Sequence, residues 1–465
     1  MVNELLYKCT GSNIIIILIN NLMNANIIEG NPTKTFFIDM ITRDISIKDA
    51  IIDLLDNSID GANNINSTSY EGLYINIDIS KDHFIVKDNC GGFGLETARK
   101  YAFRFGRPEE VKEASGSVGR FGIGMKRALF KMGKLFSVES KTDKDHFRVN
   151  VNVDEWKSQK IISNNLSVDD WNFSYELITD GNINENGTYI SVTNLLPDVS
   201  SLFGDEDFIM GLKNEIERLL NLSLEKGIKI TINNMNLNRK DLNIIYDNLC
   251  KPYVFVGEKD NVHFKVVAGL GEVGYPAQSG WYIYCNDRLV VEADKSEITG
   301  WGTMSIPQWH VNYVMFKGIV FINSAETFNL PLTTTKKGID ATSEIYKIIL
   351  SRMREGMLSV FPFLKQIAST VDTPNEYRRL LYEQSSKLSV VELKTNINTT
   401  QSTFLSPSID SEIIAVRDNL VRISYQMNKD RAIIAKHHSG AKSYKELGEI
   451  TFDYYMKMEE INEDE

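Results

Sequence analysis

Three stretches of this 465-residue sequence place carboxylates, amides and glycines where they could do chemistry. The first is residues 47–62. Asp53 and Asn57 are four apart, so on a helix their side chains sit one turn above each other. A carboxylate beside a carboxamide offers a base and a neutral oxygen ligand, a pair suited to a hard cation such as Mg²⁺, which keeps most of its waters. The second stretch is Asp88-Asn89-Cys90-Gly91-Gly92-Phe93-Gly94. Its glycines let the backbone approach a ligand closely, and its carboxylate can accept a hydrogen bond from a ligand amine such as the exocyclic amine of adenine. The third holds Gly119, Gly122 and Gly124, then Met125-Lys126-Arg127-Ala128. A glycine-rich loop feeding a helix N-terminus is a phosphate site by geometry, through free N–H groups and the positive end of the helix dipole. It is not a Walker A loop, because Met125 precedes Lys126 and no Ser or Thr follows the lysine. The dinucleotide fingerprint is excluded too, since no βαβ unit surrounds it. Thr188, entered through Gly187, could meet a base edge, and Lys336-Lys337 could reach an anionic ligand from a loop.

Each stretch also has a plainer reading. In 47–62, Ala50, Ile51, Leu54, Leu55, Ile59 and Ala62 make an apolar stripe, with Asp49, Asp53, Asp56, Asn57 and Asp60 opposite. That pattern alone describes a surface helix with a solvated acidic face. The Asp88 stretch could be a capped turn, the glycine-rich stretch a hinge, the Thr188 strand ordinary β-propensity, and the lysine pair a solvated turn.

The surrounding elements follow from periodicity. Leu73–Ile79 and His83–Lys87 alternate and read as an antiparallel pair that delivers Asp88 to a strand end. Residues 95–105 read as a helix, and 106–118 as a mobile segment. Leu135–Ser140, Phe147–Val153 and the strand at 186–192 follow. The spacing puts a linker at Pro197–Phe208 and a helix at Ile209–Leu222. A second α+β unit then has strands at Ile228–Ile232, His263–Val267, Trp281–Cys285, Leu289–Val291 and Val314–Asn323. Helices are expected over Glu344–Gly356, Tyr377–Ser389, Glu412–Asn428 and Tyr444–Ile461, with a polar loop at Lys394–Ser408.

Composition bounds the class. Hydrophobic content of 42% supports large cores. A net charge of −11 repels nucleic acid over most of the surface, though Arg99, Lys100, Arg104, Arg107, Arg120, Lys126, Arg127, Lys131 and Lys134 make a local basic region. The four cysteines (Cys9, Cys90, Cys250, Cys285) show no close spacing. This argues against a disulfide framework and a structural zinc site. The apolar run Ile14–Ile19 is too short to span a bilayer. A cytoplasmic protein without membrane association is the expectation.

Taken in order, the three stretches resemble the boxes of the GHKL ATPase superfamily, which includes gyrase, the ninety-kilodalton heat-shock chaperone, histidine kinases and MutL. The first box is met by Asp53, Asn57-Ser58, Asp60 and Ala62, the second by Asp88 and Gly92, and the third by Gly119, Gly122 and Gly124. Lys126 after the third box and Lys336 after a late strand are similar to MORC and MutL proteins. The resemblance implies an α+β sandwich with a Bergerat-type ATP-binding domain at 31–200, preceded by an arm at 1–30. A transducer-like α+β domain at 205–345 and a mainly helical region at 346–465 would follow. It implies ATP and Mg²⁺ as cofactors. Asp53 would polarise the attacking water and Asn57 would hold Mg²⁺. Asp88 would read the adenine amine, Gly92 would give room for the base, and Thr188 would support it. Gly119, Gly122, Gly124 and Lys126 would meet the phosphates, and Lys336, or Lys337 in its place, would reach the γ-phosphate. The implied protein is a slow ATPase that dimerises on ATP, with DNA or a partner protein as possible targets and defence against foreign DNA as a setting. The competing readings are a chaperone-like ATPase with protein clients and a nucleotide-binding scaffold with little hydrolysis. A histidine kinase fits poorly because no His precedes His83. Two departures from the boxes matter: Asp53 stands where Glu is usual, one methylene shorter, and Cys90 replaces a glycine.

Overall fold

The computed structural model describes residues 32–106, 123–163, 166–272, 275–333, 338–371, 373–407, 409 and 426–459. In chain order the first elements are α1 (Lys34–Arg43), α2 (Ile47–Ile65), β1 (Tyr74–Ile79), β2 (His83–Asp88) and a short α3 (Leu95–Thr97) that continues as a π-helical turn over Ala98–Ala102. Next come α4 (Gly124–Met132), β3 (Gly133–Lys141), β4 (His146–Asn152), α5 (Val153–Ser158), β5 (Lys160–Ser163), β6 (Leu166–Asp169), β7 (Glu176–Leu177) and β8 (Gly187–Leu195). They are followed by α6 (Pro197–Phe203), α7 (Glu206–Leu219), α8 (Asn221–Glu225), β9 (Lys229–Ile232), β10 (Met235–Asn236) and β11 (Asn243–Ile245).

Eight strands among the described residues form one mixed sheet in the order β10-β9-β1-β2-β8-β3-β4-β7. In β1, Ile75, Ile77 and Ile79 are buried while Asn76 and Asp78 are exposed, the period-two signature of a sheet with one covered face. The covered face packs under α2 and α4, where Ile51, Leu55, Leu129 and Met132 join Ile75, Phe84 and Val192 in one core. Two features depart from expectation. Ile228–Ile232, expected in the second unit, lies in this sheet, where β9 pairs parallel with β1. The expected linker after Pro197 is helical: proline suits a first helical turn, and Val199 and Phe203 bury one face of α6 against Phe84.

A second sheet is built from β12 (Tyr253–Lys259), β13 (Val262–Leu270), β14 (Gly280–Cys285), β15 (Arg288–Asp294) and β16 (Phe316–Ser324), in the order β12-β13-β16-β14-β15. Every residue of β14 is buried, so the sheet is covered on both faces. One cover is α9 (Glu344–Thr370). It runs well past the expected end at Gly356 and through Pro362. Proline inside a helix costs roughly 3 kcal/mol, and here Val360, Phe361, Phe363, Leu364 and Ile367 are all buried around it. After α10 (Pro374–Gln384), the residues expected to finish that helix instead form β17 (Lys387–Ser389), which pairs with β11. Then α11 (Val390–Thr395) places Val390 and Leu393 against Tyr282 and Tyr284. The loop that follows pairs at Gln401 and Leu405 with Val254 and Lys251.

The two sheets meet through charge. Asp56 of α2, expected on a solvated face, is buried in an ion pair with Arg288 of β15. Beside it, Asp287 pairs with Lys226 at 2.6 Å and with Lys394. A cleft of about 390 Å³ opens there, lined by Asp60, Asn63, Tyr70, Asp287 and Lys394 among others. Removing one partner from a buried pair strands the other charge, at a cost of about 3–5 kcal/mol, whereas replacing both by apolar groups is often neutral. Urea unfolding should therefore find Arg288→Met strongly destabilised, with much of the loss recovered in Asp56→Leu/Arg288→Met.

The chain divides into two compact units near residue 408. The described part of the second contains α12 (Lys429–Ser439) and α13 (Tyr444–Met458). Helix α12 ends at the His437-His438 pair, which reads in sequence as a polar helix end, while its weak hydrophobic periodicity leaves the rest of the helix unmarked. The helix expected from Glu412 falls mostly outside the described residues. Tyr444, Ile450, Tyr454 and Met458 of α13 are exposed. No helix among the described residues is long and apolar enough to cross a membrane.

Candidate active site

Helix α2 starts because Ser46 caps it, its hydroxyl accepting from the Asp49 N–H at 3.1 Å. That start sets the rotation of the helix and puts Asp53 and Asn57 on one side, as the spacing predicted. Asn57 is exposed, but Asp53 is only 6% exposed. The burial of Asp53 comes from α4, which crosses α2. A Cβ on Gly124, the first residue of α4, would sit 3.4 Å from Asp53 Oδ2. The first and third stretches are thus in contact, with the start of α4 directly over the carboxylate. Arg127, one turn into α4, donates from Nη2 to Asp53 Oδ2 at 2.5 Å.

The second stretch joins them through Ser58. Asp88 closes β2 opposite Thr188 of β8. Its Oδ2 accepts from Ser58 Oγ at 2.7 Å, and its Oδ1 accepts from the N–H groups of Cys90 at 2.9 Å and Thr188 at 3.2 Å. Burial pushes the Asp88 carboxyl up, and the bonds from Cys90, Ser58 and Thr188 oppose that rise. Thr188 touches Asp88 through its backbone.

The turn after Asp88 depends on two glycines. Gly91 and Gly92 have φ of +90° and +61°, a region L side chains rarely occupy. A Cβ on Gly92 would lie 2.4 Å from the Lys141 carbonyl oxygen and 2.7 Å from that of Gly187. Cys90 does not narrow this turn. Its side chain is buried in the core, with burial pushing the thiol up, and Gly91 takes the left-handed conformation instead. Gly61 of α2 leaves space for the Cys90 carbonyl, since a Cβ there would approach it to 2.4 Å. Ser140 of β3 locks the far side, its hydroxyl accepting from Phe93 N at 2.8 Å and donating to Phe93 O at 2.9 Å.

Lys126 lies where the sequence put it, next to the third stretch, but its amine is buried. Nζ donates to the Ala102 carbonyl at 2.6 Å, tying α4 to the end of the π-helical turn. Burial lowers this amine to about 7. Between pH 7 and the ordinary lysine value, the unfolded chain binds more protons, so this group makes stability rise with pH across that window and imposes its full penalty below it. Lys126→Met is expected to stabilise the ligand-free chain below pH 7, by about 1–4 kcal/mol. Thermal unfolding from pH 6 to 9 checks this: the gain should shrink as pH rises.

Gly119, Gly122, Lys336 and Lys337 lie outside the described residues, as do most of the expected mobile segment and the N-terminal arm. Among the described residues no group of three His, Cys, Asp or Glu side chains could hold a metal ion. A cation at Asn57 would take most of its ligands from water and phosphate, which is how Mg²⁺ is usually held.

Residues 45–182 match the family described as histidine kinase-, DNA gyrase B- and HSP90-like ATPase. This segment is a GHKL-type ATPase domain. It contains Asp53, Asn57, Asp88, Gly92, Gly124 and Lys126, while Thr188 and the second sheet lie beyond the matched range. No curated protein matches the chain. Domains of this family bind ATP, typically with Mg²⁺, and the ATPase domain here has fitting parts. A buried acceptor sits at Asp88, a side-chain-free turn at Gly92, and a helix N-terminus at Gly124. Sequence reasoning did not single out Ser58, Arg127 or Ser140 as site residues. Ser58 sits inside the first box and Arg127 follows Lys126, so each had a local signal; Ser140 had none.

Proposed function

We propose that the chain is a Mg²⁺-dependent ATP-binding and hydrolysing switch of the MORC and MutL kind that dimerises on ATP. The observation that supports this most is the convergence of three separate stretches on one place: Asp53 and Asn57 from α2, Asp88 and Gly92 after β2, and Gly124 opening α4. In this reading Asp53 polarises water and accepts its proton, and Asn57 supplies a neutral oxygen to Mg²⁺. Asp88 accepts from the adenine amine with Thr188 behind it, Gly92 admits the base, and the backbone at Gly119, Gly122 and Gly124 faces phosphates. Lys336, with Lys337 as its substitute, reaches the γ-phosphate. Phosphoryl transfer of this kind rests on positioning and charge. The target proposed is DNA, in defence against foreign DNA, through the basic residues Arg99, Lys100 and Arg104.

A second reading, a nucleotide-binding scaffold with little hydrolysis, is favoured by one observation. Asp53 is a short carboxylate already engaged by Arg127. Phosphate release with and without Mg²⁺ separates the two: turnover supports the switch, and tight binding without release supports the scaffold. Size-exclusion with a non-hydrolysable ATP analogue tests the dimer. Under the switch reading the analogue moves the protein to twice its mass, and an unchanged monomer contradicts it. A DNA titration over several salt concentrations tests the target, since phosphate contacts give a steep salt slope.

A further inference from the structure

Arg127 is held on Asp53, yet its guanidinium is not fully used. Nη2 donates to Asp53 Oδ2 at 2.5 Å, while Nε is buried with no hydrogen-bond partner. A guanidinium carries five N–H donors in a fork that matches carboxylate and phosphate oxygens alike. A buried donor left unpaired is costly, so the environment of Arg127 satisfies it incompletely. The Arg127 side chain is 24% exposed, against 6% for Asp53.

Position adds a second argument. Arg127 stands one turn into the helix whose start at Gly124 lies over Asp53. Phosphates bound at that start would lie close to both members of the pair. Their negative charge would repel Asp53 and attract Arg127. In hydrolysis the water oxygen bonds to the γ-phosphorus, the bond to the β-phosphate oxygen breaks, and the water proton goes to the base. A carboxylate with a lone pair committed to a guanidinium is poorly placed to take that proton, because general-base action needs direct reach to the water.

We propose that Arg127 is a two-position residue of the ATP site: it is paired with Asp53 when the site is empty and moves onto the phosphates when nucleotide binds, releasing Asp53 to polarise water. This rests on the ATP-site reading above. Arg127 is thus a positioning residue for the base and a binding residue for the triphosphate.

The test is a double-mutant cycle read by calorimetry of Mg²⁺·ATP binding, on wild type, Arg127→Met, Asp53→Asn and the double variant, with Arg127→Lys as a fifth protein. Circular dichroism confirms that each is folded. Arg127→Met is expected to weaken binding about 10- to 100-fold, the scale of a hydrogen bond to a charged group. Asp53→Asn should bind more tightly than wild type, because Arg127 no longer has to leave a carboxylate, and that gain should vanish in the Arg127→Met background. Arg127→Lys should recover part of the affinity. If Arg127→Met binds within twofold of wild type, or the Asp53→Asn gain persists without Arg127, the pair is a static structural contact and the inference fails. If Arg127→Met does not fold, Arg127→Lys decides: unchanged affinity contradicts the proposal, and weakened affinity supports it. If wild type binds no Mg²⁺·ATP, the ATP-site reading itself fails and this inference falls with it.

Discussion

Asp53→Ala is expected to cut phosphate release by about 10²- to 10⁴-fold, the usual contribution of a positioned base, while Mg²⁺·ATP affinity holds or tightens. Asp53 is held at 6% exposure by the start of α4, in direct contact with the site where phosphates would lie. In the proposed site its replacement removes the proton acceptor and leaves Asp88, the proposed adenine acceptor, untouched. It also frees Arg127 for phosphate. A loss confined to turnover, with binding preserved, separates a base from a merely structural carboxylate. Asp53→Glu extends the carboxylate by one methylene and bears on whether the shorter residue limits the rate. If it raises turnover, reach was limiting. A rate equal to that of Asp53→Ala would instead show that α4 leaves no space for the longer chain. Equal loss of binding and turnover in Asp53→Ala would contradict the assigned role.

Gly92→Ala should abolish ATP binding and lower stability. Two effects add there. A φ of +61° disfavours any Cβ by about 1–3 kcal/mol. The methyl would also lie 2.4 Å from the Lys141 carbonyl and 2.7 Å from that of Gly187. Both neighbours are backbone at the ends of β3 and β8, so they cannot swing aside, and the turn carrying Asp88 must shift. Gly72→Ala is the control, with φ of +82° and no atom near its missing Cβ. It should cost only the conformational part and leave ATP binding intact. Urea unfolding and calorimetry on both variants check this. Similar ATP affinity in the two would show that the close approach at Gly92 is unimportant.

What the sequence made legible were local patterns. Asp53 and Asn57 at helical spacing, Asp88 at a strand end, Gly92 in the turn and Gly124 at a helix start all sit in the expected elements. Each is fixed by a few neighbours in the chain. The illegible parts depend on distant partners. Nothing near Asp56 announces Arg288, 232 positions away, so a buried carboxylate reads as a solvated one. Arg127 and Asp53 are 74 apart, and their pairing exists only because α4 crosses α2. Ile228–Ile232 has the same apolar pattern whichever sheet it joins, and the choice is made by β1. The expected linker begins at Pro197 and the helix expected from Glu344 ends before Pro362, and proline is unfavourable inside helices. At Pro197 the proline falls at the helix start, where it is harmless, and at Pro362 surrounding aromatic burial overrides it. The family resemblance implies a phosphate ligand at Lys126, whose amine donates to the Ala102 carbonyl. A carbonyl partner leaves no trace in sequence.

The ATP site proposed here is formed where α2, the turn after β2 and the start of α4 converge. Calorimetric titration of Mg²⁺·ATP into wild type and Asp88→Asn tests it most directly. Asp88→Asn keeps the shape but turns one acceptor oxygen into a donor, which cannot receive the adenine amine and opposes the N–H and O–H groups that now point at it. Saturable binding to wild type, preferring ATP over GTP and lost in a folded Asp88→Asn, is the predicted result. No binding to wild type, or equal binding to both proteins, would contradict it.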